Sequence, residues 1–108
     1  FNNMFKLIQL DLSNNLIEVV PNEIFRDLSS LITLQLSKNN IIDLNPFAFN
    51  KLNSLKLLDL SKNMIKNLSV ALFKDLALLK NLDLRSNNLE QLKNNTFFSM
   101  KSLIELDL

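Results

Sequence analysis

No cysteine, histidine, tryptophan, tyrosine or glycine occurs among the 108 residues. Without cysteine there is no thiolate chemistry and no disulfide framework, and the redox compartment is left open. Without histidine or cysteine, a metal site would need clustered carboxylates, and imidazole acid–base chemistry is excluded. An excess of one charge is also missing, since twelve basic residues against eleven acidic ones leave a formal charge of +1. That balance offers no concentrated basic stripe, so nucleic acid is not an expected partner. No apolar run approaches the roughly 18 residues of a membrane span, so no direct membrane contact is expected of this segment. No signal peptide opens the chain, which begins at Phe1 and reads as an excerpt.

What is present is apolar bulk and asparagine. Apolar residues make up 47% of the chain, enough for a continuous core in one domain. Seventeen residues are asparagine, and part of the reason is positional. Leu7, Leu31, Leu55, Leu79 and Leu103 recur every 24 residues without a gap. In register with them stand Leu10, Leu34, Leu58, Leu82 and Leu106, then Leu12, Leu36, Leu60, Leu84 and Leu108. The next columns are Asn15, Asn39, Asn63 and Asn87, and then Ile17, Ile41, Ile65 and Leu89. Val20, Leu44, Leu68 and Leu92 follow, then Phe25, Phe49, Phe73 and Phe97, then Leu28, Leu52, Leu76 and Met100. The chain therefore divides into the end of one unit (1–6), four complete units (7–30, 31–54, 55–78, 79–102) and the strand of the next (103–108).

Each unit carries its own structural logic. In Leu10-Asp11-Leu12 and its copies, inward and outward residues alternate with period two, as a short strand requires. Successive strands are reached by the same long return path, which makes them parallel and about 4.8 Å apart. The return segment, for example Pro21 to Leu28, is too short and broken for a long helix; irregular, short 3₁₀ or helical turns are expected there. One unit cannot bury its apolar side alone, so each folds only against its neighbours.

Two columns look like sites and read better as structure. Where the chain bends after each strand, backbone groups lose their ladder partners. The amides of Asn15, Asn39, Asn63 and Asn87 carry both a donor and acceptors to satisfy them. One phenylalanine per 24 residues, always opposite the leucines, reads as a packing spine of Phe25, Phe49, Phe73 and Phe97 rather than a base-stacking platform.

Function is expected on the outward strand positions, on the concave side of the stack. The central outward column reads Asp11, Gln35, Asp59, Asp83 and Asp107, with Lys56, Lys62, Lys80 and Arg85 able to offset the stacked carboxylates. Glu105 extends the acidic end. Asp59 and Asp83 have a spacing that a paired-acid hydrolase would use, but an open sheet face keeps both hydrated and no other residues assemble a closed pocket. No catalytic residue, metal site or cofactor is expected. Exposed Ile8, Ile32 and Leu57 beside these charges form a mixed patch suited to recognising protein. Two sequons, Asn67-Leu68-Ser69 and Asn94-Asn95-Thr96, fall in return segments, where a glycan would project clear of the strands.

Every complete unit resembles the leucine-rich-repeat pattern L-x-x-L-x-L-x-x-N-x-L, as in Leu31-Ile32-Thr33-Leu34-Gln35-Leu36-Ser37-Lys38-Asn39-Asn40-Ile41. The 24-residue length with its late phenylalanine is similar to the "typical" subclass of Toll and Toll-like receptor ectodomains, Slit-type proteins and leucine-rich-repeat receptors. The resemblance implies an α/β solenoid, a fragment of a horseshoe with a parallel concave sheet. It also implies a non-catalytic recognition module, extracellular or on the cell surface, that binds protein or another macromolecule. An architectural spacer and an intracellular or bacterial interaction scaffold remain the alternatives. The Cys-rich caps of complete family ectodomains are missing here, so the apolar ends are expected to drive end-to-end self-association.

Overall fold

The computed structural model describes residues 1–108. Seven short strands form in chain order: β1 (Gln9–Asp11), β2 (Val19–Val20), β3 (Thr33–Gln35), β4 (Asp43–Leu44), β5 (Leu57–Asp59), β6 (Asn81–Asp83) and β7 (Glu105–Asp107). Five of them make one parallel sheet in the order β1-β3-β5-β6-β7. Leu10 lies opposite Leu34, Leu34 opposite Leu58, Leu58 opposite Leu82 and Leu82 opposite Leu106, so neighbouring strands are offset by one full unit. Parallel pairing in that register puts like residues side by side. Inner leucines stack on leucines, and outward residues stack on outward residues.

The core is one cluster of 22 buried residues. The sheet contributes pairs such as Leu34 with Leu36 and Leu58 with Leu60; the far side contributes Phe25, Phe49, Phe73 and the leucines at 28, 52 and 76. Full burial of each such leucine stabilises the fold by about 1.5–3 kcal/mol. Leu10, Leu12 and Ile17 at one end, and Leu103 and Leu106 at the other, are only partly buried, because each has a neighbouring turn on one side alone.

The return segments contain turns and no helix. Between Asn45 and Leu55 the bonds run from Ala48 N to Asn45 O, Asn50 N to Phe47 O, Leu52 N to Phe49 O and Leu55 N to Leu52 O. A 3₁₀ helix would need consecutive i to i−3 bonds, and these fall on scattered residues. Of the irregular or short helical paths expected, the irregular one is realised, as a string of separate turns. Proline at Pro21 and Pro46, and left-handed backbone at Glu23 and Lys51, punctuate the path.

A narrower second sheet joins β2 to β4, and the bridge between Asn67 and Gln91 continues the same column. Just after each main strand, Asn14, Lys38, Lys62 and Ser86 take φ values of 59, 55, 55 and 58°. With no glycine in the chain, Lys38, Lys62 and Ser86 hold a left-handed bend that ordinarily disfavours them, and Asn14 one that asparagine tolerates. The asparagine that follows each one fixes the bend.

Candidate ligand-binding face

The outward side of the five-stranded sheet carries no covering element. Its central column runs Asp11, Gln35, Asp59, Asp83, Asp107 in consecutive strands. The carbonyls of Gln35, Asp59, Asp83 and Asp107 accept N–H bonds from Leu12, Leu36, Leu60 and Leu84 at 2.7–2.8 Å. From Gln35 to Asp107 the backbone beneath the column is therefore engaged by the preceding strand, and its side chains are held at fixed spacing.

Three of the carboxylates are also gripped from two residues further on. Asp11 Oδ1 accepts from Ser13 N at 2.9 Å and from Ser13 Oγ. Asp59 Oδ1 accepts from Ser61 N at 2.9 Å and Ser61 Oγ at 2.7 Å. Asp83 takes Arg85 instead: Oδ2 accepts from Nη2 at 2.7 Å, and Oδ1 accepts from Nε and from the backbone N, each at 3.0 Å. The Ser13 hydroxyl and N–H hold the Asp11 carboxyl below the usual carboxylate range. Asp83 is lowered first by its bonds to the Arg85 side chain, against a smaller opposing effect of burial, with help from the charges of Arg85 and Lys62. Arg85 in turn is pushed further toward its charged form by Asp83, then by Asp107 and Asp59. Lys56 and Lys80 stay exposed at the edge of the face without an ion pair.

The remaining face residues assemble less evenly. Ile8, on the end turn, is 47% exposed, whereas Ile32 and Leu57 are half-buried between neighbours on both sides. Asn81 Nδ2 donates to Glu105 Oε2 at 2.8 Å across adjacent strands. Together Gln35, Leu57, Asp59, Asn81, Asp83, Arg85, Glu105 and Asp107 line a shallow depression of about 230 Å³. It is open to solvent and carries a fixed pattern of charge. Such a surface presents hydrogen-bond and charge partners to a macromolecule rather than enclosing a small substrate.

The other recurring residues lie off this face. Asn39 Oδ1 accepts from Ile17 N of the preceding turn, while its Nδ2 donates to Leu12 O there and to Leu36 O in its own turn. Asn63 and Asn87 repeat the pattern toward Ile41 and Leu36, and toward Ile65 and Leu60. Asn15 is exposed and bonds only to Leu12 O and Ser13 O of its own turn. Phe25, Phe49 and Phe73 are buried, Phe97 is half-buried, and stacking joins Phe1 to Phe25, Phe25 to Phe49 and Phe73 to Phe97. Asn67 and Asn94 are both exposed on the return side.

The family model for the leucine rich repeat matches residues 5–65 and 58–108, which together span nearly the whole chain. The chain belongs to the leucine-rich-repeat family. Its fold is similar to the crystal structure of the TLR13–ssRNA13 complex, with 34% identity and a TM-score of 0.85 over 89% of this chain. It is also similar to the Toll–Spatzle complex of Drosophila, at 24% identity and a TM-score of 0.83 over 93% of this chain. The alignments cover 14% and 13% of those two chains, so this segment spans about one seventh of either. No curated protein matches the chain.

Two features of this leucine-rich-repeat segment escaped the sequence reading. One is a surface depression of about 500 Å³ beside the narrow second sheet, between Asp43, Lys66, Asn67, Gln91 and Lys93. The second is a pair of inter-turn ties: the N–H groups of Asn3 and Lys51, both left-handed, donate to Asp27 Oδ2 and Asp75 Oδ2 at 2.9 Å. The available signal was the recurrence of aspartate at an interval of two units.

Proposed function

We propose that this chain is part of a non-catalytic recognition scaffold whose outward sheet face, concave in the assembled solenoid, contacts a protein ligand. The observation that carries the proposal is the uncovered row of Asp59, Asp83, Arg85, Glu105 and Asp107. Asp59 is oriented by Ser61, Asp83 and Arg85 by each other, and Glu105 by Asn81, rather than by any packed partner. Orienting charged side chains before contact reduces what binding must order, and lysines and apolar residues beside them supply the mixed chemistry of protein interfaces. Ile8, Asp11, Ile32, Gln35, Lys56, Leu57 and Lys80 complete the surface. The Toll and TLR13 likeness supports a receptor that faces the cell exterior or an endosomal lumen.

The neighbouring TLR13 structure is a complex with ssRNA13, so scaffolds of this fold do take nucleic acid. A near-neutral charge balance by itself therefore does not exclude it. The acidic column argues for protein over RNA on this particular face, because phosphates would meet Asp59, Asp83 and Asp107.

The test is a binding screen of secreted proteins and of single-stranded RNA, repeated with an Asp59→Lys/Asp83→Lys double variant. A protein ligand is expected whose affinity falls at least tenfold in the variant while circular dichroism is unchanged. Unchanged affinity with an intact fold would mean that these repeats act as a spacer between contact sites elsewhere.

A further inference from the structure

Position 96 does not fit its column. The equivalent residues are Ile24, Ala48 and Leu72, all hydrocarbon, yet Thr96 stands there fully buried at 0% exposure. Its Oγ1 has no hydrogen-bond partner. Folding gains nothing from that hydroxyl, because a buried donor and acceptor stripped of water opposes stability. Two residues earlier, Asn94 is exposed, and the N–H of Thr96 closes a turn on Lys93 O at 3.1 Å. One turn further, Phe98 is 73% exposed, and its N–H donates to Asn95 O at 3.3 Å.

We infer that Asn94 carries an N-linked glycan, and that the sugar is transferred before the last complete repeat closes over Thr96. The hydroxyl two residues after asparagine is what makes the amide an acceptor. In the folded chain that hydroxyl is out of reach, so it can serve only while the segment is extended. In the transfer, Asn94 Nδ2 bonds to the anomeric carbon of an oligosaccharide carried on a lipid pyrophosphate. The sugar–phosphate C–O bond breaks, its electron pair leaves with the lipid pyrophosphate, and the amide gives up one proton. The glycan then stands on the return side, away from Asp83 and Arg85. This inference rests on the proposed function only for its compartment; glycan occupancy is read without any ligand, so either reading can fail alone.

The full chain, secreted from a eukaryotic cell behind a cleavable leader, is digested with trypsin and the 94–101 peptide weighed. The peptide is expected to carry a glycan in the wild type and in Thr96→Ser, and to be bare in Thr96→Val. Made in bacteria without glycan, Thr96→Val is expected to melt above the wild type. Purified folded chain, given transferase and lipid-linked donor, is expected to stay unmodified at Asn94, whereas the urea-unfolded chain is modified. A bare Asn94 in the leader-cleaved wild type would overturn the assignment. A lower melting temperature for Thr96→Val, or efficient modification of the folded chain, would overturn the account of Thr96.

Discussion

Arg85 and Asp83 meet side-on: Nη2 lies 2.7 Å from Oδ2 and Nε lies 3.0 Å from Oδ1. The geometry fixes two charges that would otherwise sweep the sheet face, and it lowers the Asp83 carboxyl below its ordinary range. Stability from this group is complete above the unfolded carboxylate value and is lost as pH falls through the lower, folded one. Replacing Arg85 by Gln removes the largest cause of the shift. The Asp83 carboxyl, followed by NMR titration, is expected to move up toward the ordinary value, with Asp11 unmoved because Ser13 holds it separately. An unchanged Asp83 titration would mean that the fork does not hold in solution.

The asparagine column grades from the interior to the end. Asn63 bonds to Ile41 N, Leu36 O and Leu60 O, all buried, so Asn63→Ala leaves several backbone groups unpaired. The expected loss is about 3 kcal/mol. Asn15, which is exposed and bonds only within its own turn, should cost under about 1 kcal/mol when changed to Ala. Urea denaturation of the two variants gives the comparison, and equal losses would contradict the inter-turn role.

Phenylalanine truncation should follow burial. Phe49→Ala empties a fully buried site and is expected to cost about 3–5 kcal/mol. Phe97→Ala, at a half-buried site, should cost clearly less. A reversed order in thermal melts would place the packing spine elsewhere.

The periodic part of the fold was legible because the columns are contacts. Residues 24 apart touch directly in the parallel register, so Leu34, Leu58 and Leu82 announce their own packing. The same register made the face readable: the lining of its depression is the outward column and its neighbours. The narrow sheet was not legible, because two-residue strands such as Val19–Val20 are shorter than any alternation can mark. The absence of helix was hidden for a related reason. Local sequence favours turns at Pro21 and Pro46 without saying whether successive turns merge, and that is settled by which N–H groups find partners. Burial of Ile32 and Leu57 depends on neighbours on both sides, which the strand pattern alone does not weigh.

The end turns should make the 108-residue polypeptide sticky. Phe1, Phe5 and Ile8 are exposed at one end, and Ile104 and Leu108 at the other. The two surfaces differ, so contacts between them are head-to-tail and propagate instead of closing. Light scattering is expected to show mass rising with concentration, and a monomer throughout a hundredfold range would contradict this.

The offset of one unit between neighbouring strands carries everything above, and the cysteine-free chain allows it to be tested by cross-linking. Gln35 and Asp59 lie side by side on β3 and β5, whereas Gln35 and Asp83 are two strands apart, about 9.6 Å. Under mild oxidation, the Gln35→Cys/Asp59→Cys variant is expected to form an intramolecular disulfide, and the Gln35→Cys/Asp83→Cys variant is not. Efficient closure of the second pair in folded protein, with the first left open, would contradict the stacking from which the recognition face was derived.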